Sequence, residues 1–252
     1  MTQPQKRAKI VEPRVLKGFR DLFPTEALVK QKMLASLRTV FESFGYSPIE
    51  TPHLEYTEVL MPQASDEISK QLFRFVDQGD RDVCLRFDLT VPFARFIAQH
   101  KNELGLPFKR YACGNVFRGE RPSVGRYREF TQCDFDFVGI QSPLADCEVI
   151  ELVAASLKAL GLADFTININ NRKIMDALAG AYAFADKIAD VLRSVDKLHK
   201  VGAAEVTSEL TALGLSEAAI TAVFALIEIS QKTTGSELFV AVKKIAVPGE
   251  EF

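Results

Sequence analysis

The chain has 252 residues, 47% hydrophobic and 25% charged, with 31 Lys and Arg against 33 Asp and Glu. That balance excludes a disordered polymer, and the length allows one large domain or a main domain with a smaller companion. A formal net charge of -2 gives no global field for nucleic acid, so any polyanion must be met by a local patch.

Residues 1–13 are polar and basic and are expected to form a frayed tail. From Thr25, a candidate N-cap, apolar residues recur at Leu28, Val29, Met33, Leu34, Leu37, Val40, Phe41 and Phe44, the spacing of one helix face, and Gly45 stops the pattern. The two prolines of Tyr46-Ser47-Pro48-Ile49-Glu50-Thr51-Pro52 exclude a helix and predict an extended segment or edge strand. Val83 to Asp88 alternates with period two, placing Arg86 and Asp88 on one face, and a helix can begin in Pro92 to Gln99. Two extended runs follow, Lys109 to Arg118 and Arg126 to Phe137, joined by Gly119 to Gly125 as a long-looped hairpin. Asp146 to Leu160 returns to helical spacing, and Phe165 to Ile169 alternates as a strand. From Arg172 to Lys244 the chain is rich in Ala, Leu, Lys and Glu with glycine punctuation, which predicts a second, all-helical unit. No repeat of fixed period is present.

The second strand of the hairpin is the most informative segment. Alternation puts Arg126, Arg128, Phe130, Gln132, Asp134 and Asp136 on one face, and Tyr127, Glu129, Thr131, Cys133, Phe135 and Phe137 on the other. The plain alternative for so polar a face is the solvated outside of a sheet. Three features favour a ligand floor instead. Arg86, Asp88 and Thr90 form a similar polar row, Phe130 offers a ring among charges as a stacking platform, and Arg118 and Arg126 bracket the loop as two permanent cationic forks. From Lys101 to Arg128 there are seven Lys or Arg against two Glu, a local +5 that favours a nucleoside triphosphate or an RNA end. No Walker-type or G-x-G-x-x-G run is present, so a P-loop or Rossmann turn is not the phosphate-binding device.

The four cysteines, Cys84, Cys113, Cys133 and Cys147, form no C-x-x-C pair, and the three histidines, His53, His100 and His199, are scattered. Reduced, buried thiols of a cytoplasmic protein are expected, with no metal site built from side chains. No uncharged apolar run approaches the roughly 20 residues that cross a bilayer, and no export or membrane insertion is expected.

The run Phe117-Arg118-Gly119-Glu120-Arg121-Pro122-Ser123-Val124-Gly125-Arg126-Tyr127-Arg128-Glu129-Phe130-Thr131-Gln132 closely resembles motif 2 of the class II aminoacyl-tRNA synthetases, in its histidyl form. Gly18-Phe19-Arg20-Asp21 with the following helix and Pro52 resembles the motif 1 region, which builds the dimer interface in that family. Leu85-Arg86-Phe87-Asp88-Leu89-Thr90 resembles the segment that holds the amino acid, and the likeness continues through Asn168 to Lys173 and Val195 to Leu198 into an insertion domain. It covers nearly all of residues 14 to 245.

The resemblance implies an α+β fold, an antiparallel sheet flanked by helices, in residues 14–172, with an all-helical insertion unit in 173–252. It implies ATP with magnesium, histidine and the tRNA acceptor end as partners, in a cytoplasmic homodimer. By position, Arg118 would hold the α-phosphate and act in catalysis, and Arg126 the triphosphate tail, with Glu120 beside them. Phe130 would stack on adenine. Asp88, Leu89, Thr90, Arg118, Gln132 and Asp136 would surround histidine, with Asp88 on its ammonium group. Adenylation is an in-line attack of a carboxylate on phosphorus, so positioning and charge neutralisation suffice and no protein nucleophile is required. The family's second histidine loop, motif 3 and anticodon-binding domain are not among these 252 residues, so the chain reads as an N-terminal part of a synthetase with weak or no activity alone. Two rival readings are a non-catalytic, synthetase-like regulatory subunit of ATP phosphoribosyltransferase, and a dimerisation or RNA-binding module without chemistry.

Overall fold

The computed structural model describes residues 11–61, 66–232 and 235–246, so most of the predicted tail and the last six residues lie outside what is described. The chain divides into two compact units, 1–167 and 168–252.

In the first unit, α1 (Pro24–Ser43) carries the predicted amphipathic pattern but starts one residue before Thr25. Pro24 supplies a preset φ at the first helical position, and the Glu26 carboxylate accepts the Phe23 backbone N–H at 3.1 Å, so the predicted threonine cap is replaced by half a capping box. Gly45 ends the helix at φ +80°, a conformation that other residues enter at a cost. The proline-bearing segment forms the short edge strand β1 (Ser47–Pro48), which pairs in parallel with β5 (Phe108–Phe117). Strand β5 pairs antiparallel with β6 (Glu129–Val138), giving a sheet of order β1-β5-β6. A second sheet, β2-β4-β3, consists of antiparallel strands β2 (Leu54–Tyr56), β3 (Arg74–Val76) and β4 (Asp82–Leu85). The Phe117 N–H donates to the Arg86 carbonyl at 3.0 Å and ties the two sheets together.

Helix α1 and helix α5 (Pro143–Ala159, capped by the Ser142 hydroxyl) cover one face of the long hairpin. Phe41, Tyr46, Tyr111 and Leu152 are buried there against Cys113 of β5 and against Cys133, Phe135 and Phe137, which alternation placed on the face opposite the polar row. The Tyr111 hydroxyl donates to Glu42 at 2.6 Å, and Lys109 pairs with Glu148 at 2.6 Å, pinning both helices to β5. Short helices α2 (Thr57–Leu60) and α3 (Asp66–Gln71) lie between strands of the second sheet, and α4 (Thr90–His100) follows β4.

Phe165 to Ile169 does not form the predicted strand. Alternation encodes a face but not a partner edge, and no strand among the described residues pairs with this segment. The cysteines are free, but only Cys84 is buried, and Cys147 is exposed on α5, so the expectation of four buried thiols is corrected. Burial on one side of a helix is not set by residue type alone.

The second unit contains helices α6 (Arg172–Ala181), α7 (Ile188–Val195), α8 (Leu198–Val201), α9 (Ala203–Ala212), α10 (Glu217–Lys232) and α11 (Gly235–Ala246). The Asn171 side chain accepts the Lys173 N–H at 2.9 Å and starts α6. Leu178, Val191, Val206, Leu210 and Val223 form a core of its own.

Candidate active site

The polar row of β6 faces away from α1 and α5, and β5 contributes Arg110, Ala112, Gly114 and Val116 opposite Asp136, Asp134, Gln132 and Phe130. Between its charged ends the floor carries small residues at 112 and 114, and the Arg86 guanidinium occupies the space over Gly114. From Phe130 to Asp136 the row runs about 20 Å at a strand's rise per residue, room for an amino acid and a nucleotide end to end.

At one end, the Arg118 guanidinium lies 4.4 Å from the Phe87 ring centroid and 5.1 Å from that of Phe130, and its Nε donates to the Phe87 carbonyl at 3.3 Å. Two rings and a carbonyl aim the fork without neutralising it. On the loop above, Arg126 pairs with Glu120 at 3.2 Å while remaining largely exposed. Arg128 anchors that loop from behind, donating to the carbonyls of Glu120 (3.1 Å) and Lys17 (3.3 Å), while its own N–H donates to Gly18 (2.8 Å). Gly18 has φ +89°, and a Cβ there would come within 2.8 Å of the Arg128 side chain and 2.9 Å of Pro122. The Gly-Phe-Arg-Asp segment is thus a strap under the loop, with Arg20 stacked 4.0 Å from the Tyr127 ring centroid.

At the other end, Asp88, Leu89 and Thr90 sit at the start of α4. Asp88 Oδ1 accepts the Val91 N–H at 3.0 Å, and Thr90 Oγ1 donates to Asp134 at 3.2 Å. The Gln132 Oε1 atom is buried and finds no hydrogen-bond partner in the protein. Burial first, then the neighbouring carboxylates Asp134 and Asp88, push the Asp136 carboxyl above its ordinary range, partly offset by Arg110. The structure therefore gathers Asp88, Leu89, Thr90, Gln132 and Asp136 at one end, and Arg118, Glu120, Arg126 and Phe130 at the other.

Two expectations are corrected. Arg86 reaches the floor side beside Leu89, Ala112 and Gly114 but is spent on backbone carbonyls rather than free for a ligand. Strand β4 ends at Leu85, and the buried Arg86 donates to the Asn115 and Thr51 carbonyls at 2.8 Å each, with Nη2 3.3 Å from His53. A guanidinium satisfies several buried carbonyls at once, and Gly114 leaves it the room, since a side chain at 114 would collide with it. The +5 segment is also less basic than counted, because Lys109 is paired with Glu148, and Arg110 with Asp134 and Asp136.

Arg110 was not singled out from the sequence. The available signal was its parity, since it interrupts β5 on the face shared with Ala112 and Gly114, but its partners depend on a register that the sequence does not print. A cavity of about 880 Å³ opens on the opposite side of the hairpin, between α1 and the row Asn115, Tyr127, Glu129, Thr131 and Cys133, and reaches only Phe130 of the predicted site. No group of three metal-ligating side chains occurs among the described residues.

Residues 18–241 match the histidyl-tRNA synthetase family. The chain is 53% identical over 238 residues to a histidine–tRNA ligase of Wolinella succinogenes, covering 94% of this chain and 54% of that protein. It is 56% identical over 201 residues to one from Helicobacter pylori, covering 80% of this chain and 45% of that one. It spans about half the length of these curated relatives. Among solved structures, a histidyl-tRNA synthetase from Nostoc sp. superposes with TM-score 0.76 at 29% identity over 95% of this chain and 60% of that one. A Bacillus halodurans protein described as an ATP phosphoribosyltransferase regulatory subunit/histidyl-tRNA synthetase superposes with TM-score 0.78 at 26% identity, over 93% of this chain and 60% of that one. On a class II α+β scaffold whose strap, loop and floor carry the motifs in their expected places, the chain belongs to the histidyl-tRNA synthetase family.

Proposed function

We propose that this chain contributes the ATP- and histidine-binding part of a histidine–tRNA ligase, which activates histidine to histidyl-adenylate and transfers it to tRNA in the cytoplasm. The observation that carries the reading is one continuous floor with opposite chemistry at its ends. Asp88, Asp136 and the unpartnered Gln132 oxygen suit a ligand rich in N–H donors, and Arg118 with Arg126 suits phosphate. Histidine offers an ammonium group and imidazole N–H, and its carboxylate would lie toward Arg118. Phe130, already beneath a guanidinium, provides the ring for adenine. Magnesium neutralises phosphate charge when bound with ATP, while the chain's own residues position the carboxylate for in-line attack. Domain limits of 14–172 for the catalytic part and 173–252 for the insertion unit fit this reading, and the tRNA acceptor end would approach the exposed loop at Arg121 and Arg126.

The test is histidine-dependent pyrophosphate exchange in the complete enzyme. Arg118→Ala is expected to reduce it by roughly 10² to 10³-fold, the usual loss for one transition-state charge donor. Near-normal exchange would remove Arg118 from the site. A histidine sensor without chemistry would bind histidine but show no exchange even with Arg118 intact.

A further inference from the structure

Arg110 belongs to none of the roles assigned above, yet it is the largest fully buried side chain among the described residues. Its guanidinium stacks 4.4 Å from the Phe93 ring centroid in α4. Its Nη2 donates to Asp136 Oδ2, to Asp134 Oδ2 at 3.0 Å and to the Leu89 carbonyl at 3.4 Å, while Nη1 reaches the Asp134 carbonyl at 3.4 Å. A permanent cation with no access to water persists only when its charge is matched, and here the matching groups come from the two segments that frame the histidine end of the floor.

The two carboxylates are not consumed by this pairing. Asp134 and Asp136 side chains remain 27% and 33% exposed, so each has its inner side on Arg110 and its outer side toward the floor. The charged and titratable groups facing Asp136 are Arg110 from β5, Asp134 beside it on β6 and Asp88 before α4, with Tyr46 after α1 feeling its charge more weakly. Three carboxylates against one guanidinium leave two negative charges for a ligand. Without the guanidinium, neighbouring carboxylates of this kind share protons rather than ionise together.

We propose that Arg110 is a positioning residue for histidine recognition: it ties Asp136 and Asp134 on β6 to the start of α4 and so holds Asp136 ionised and aimed at the imidazole N–H. This rests on the reading of the floor's Asp136 end as the histidine site.

Two measurements on the complete enzyme separate that reading from the proposal. Carbon-13 NMR titration of the Asp136 carboxyl needs no ligand, and in Arg110→Met it is expected to move to higher pH than in the parent, with Arg110→Lys between the two. Calorimetry with histidine is expected to show affinity reduced about tenfold or more in Arg110→Met at neutral pH, as when one partner of a buried charge pair is lost at a binding site. The acid limb of its pH profile should move upward, and Arg110→Lys should restore part of the loss. Should Arg110→Met fail to fold, Arg110→Met/Asp134→Asn, which buries one carboxylate fewer, carries the same readouts. An unchanged Asp136 titration and unchanged histidine profile in a folded variant would overturn the proposal while leaving the histidine reading in place. Failure of the complete parent enzyme to bind histidine would overturn the histidine role for Arg110 together with that reading, even if the titration moved.

Discussion

At the scale of single residues, the end of the floor proposed for histidine carries a carboxyl whose ionised form is disfavoured in the empty protein. The Asp136 carboxyl is raised above its ordinary value of 3.8 by burial and by Asp134 and Asp88. A carboxyl that binds its proton more tightly when folded contributes stability that is full at low pH and is lost as pH rises through the folded value. Asp136→Asn should therefore remove that pH dependence and raise the thermal midpoint of the ligand-free chain at neutral pH, while abolishing histidine binding. A lower midpoint would mean that the Arg110 pairing outweighs the burial cost. Asp88 separates charge from shape more cleanly. Its Oδ1 caps the Val91 N–H at 3.0 Å, and an asparagine oxygen serves that cap equally well. Asp88→Asn should leave unfolding unchanged but weaken histidine by roughly 2 to 5 kcal/mol through loss of the ammonium partner. Equal calorimetric affinities would exclude Asp88 from the ligand.

At the scale of elements, the polar face of β6, its apolar reverse and the helices α1, α4 and α5 were legible because period-two and 3.6-residue patterns report which side of an element is buried. Register was not legible. The segment 118–128 between β5 and β6 does not fix which β5 residue meets Asp134 and Asp136, so Arg110 was counted in a basic patch although the fold neutralises it. The partners of Arg86 were not legible for a related reason, since it lies one residue beyond Leu85, the last residue of β4, and bonds to carbonyls of distant segments. The role of Gly18 depends likewise on a distant element: its carbonyl receives the Arg128 N–H, and its Cα lies against Arg128 and Pro122. Gly18→Ala combines positive φ with a close contact and should destabilise the chain by about 1 to 3 kcal/mol. In the complete enzyme it should raise the KM for ATP by loosening the Glu120 to Arg126 loop. Urea unfolding and exchange kinetics at varied ATP read the two effects, and an alanine variant indistinguishable in both would show that the strap does not support the loop.

At the scale of the whole molecule, the helical unit has its own core, whereas the first unit leaves apolar surface uncovered on one helix. Phe23 is 74% exposed and Leu28 62%, and Val29 and Met33 are also exposed beside them along α1. Of these, Val29 and Met33 border the 880 Å³ cavity whose far wall is the Tyr127 to Cys133 row of β6. Contiguous apolar side chains beside a wide groove mark an association surface more often than a solvated one. A second copy of the chain related by a two-fold axis would bury each residue twice. That is the homodimer proposed for the family's motif 1 region, and its signature is a doubled energetic effect of one substitution. Burying a methionine contributes about 1.5 to 3 kcal/mol, so Met33→Glu, acting in both copies, should raise the dimer dissociation constant by roughly 10²-fold or more. Because Met33 is exposed on α1, the change should leave the circular dichroism of the chain unaltered. Sedimentation equilibrium across a concentration series reads the constant directly. A parent chain that stays monomeric at high micromolar concentration, or a Met33→Glu variant that dimerises as tightly as the parent, would remove this face from the interface.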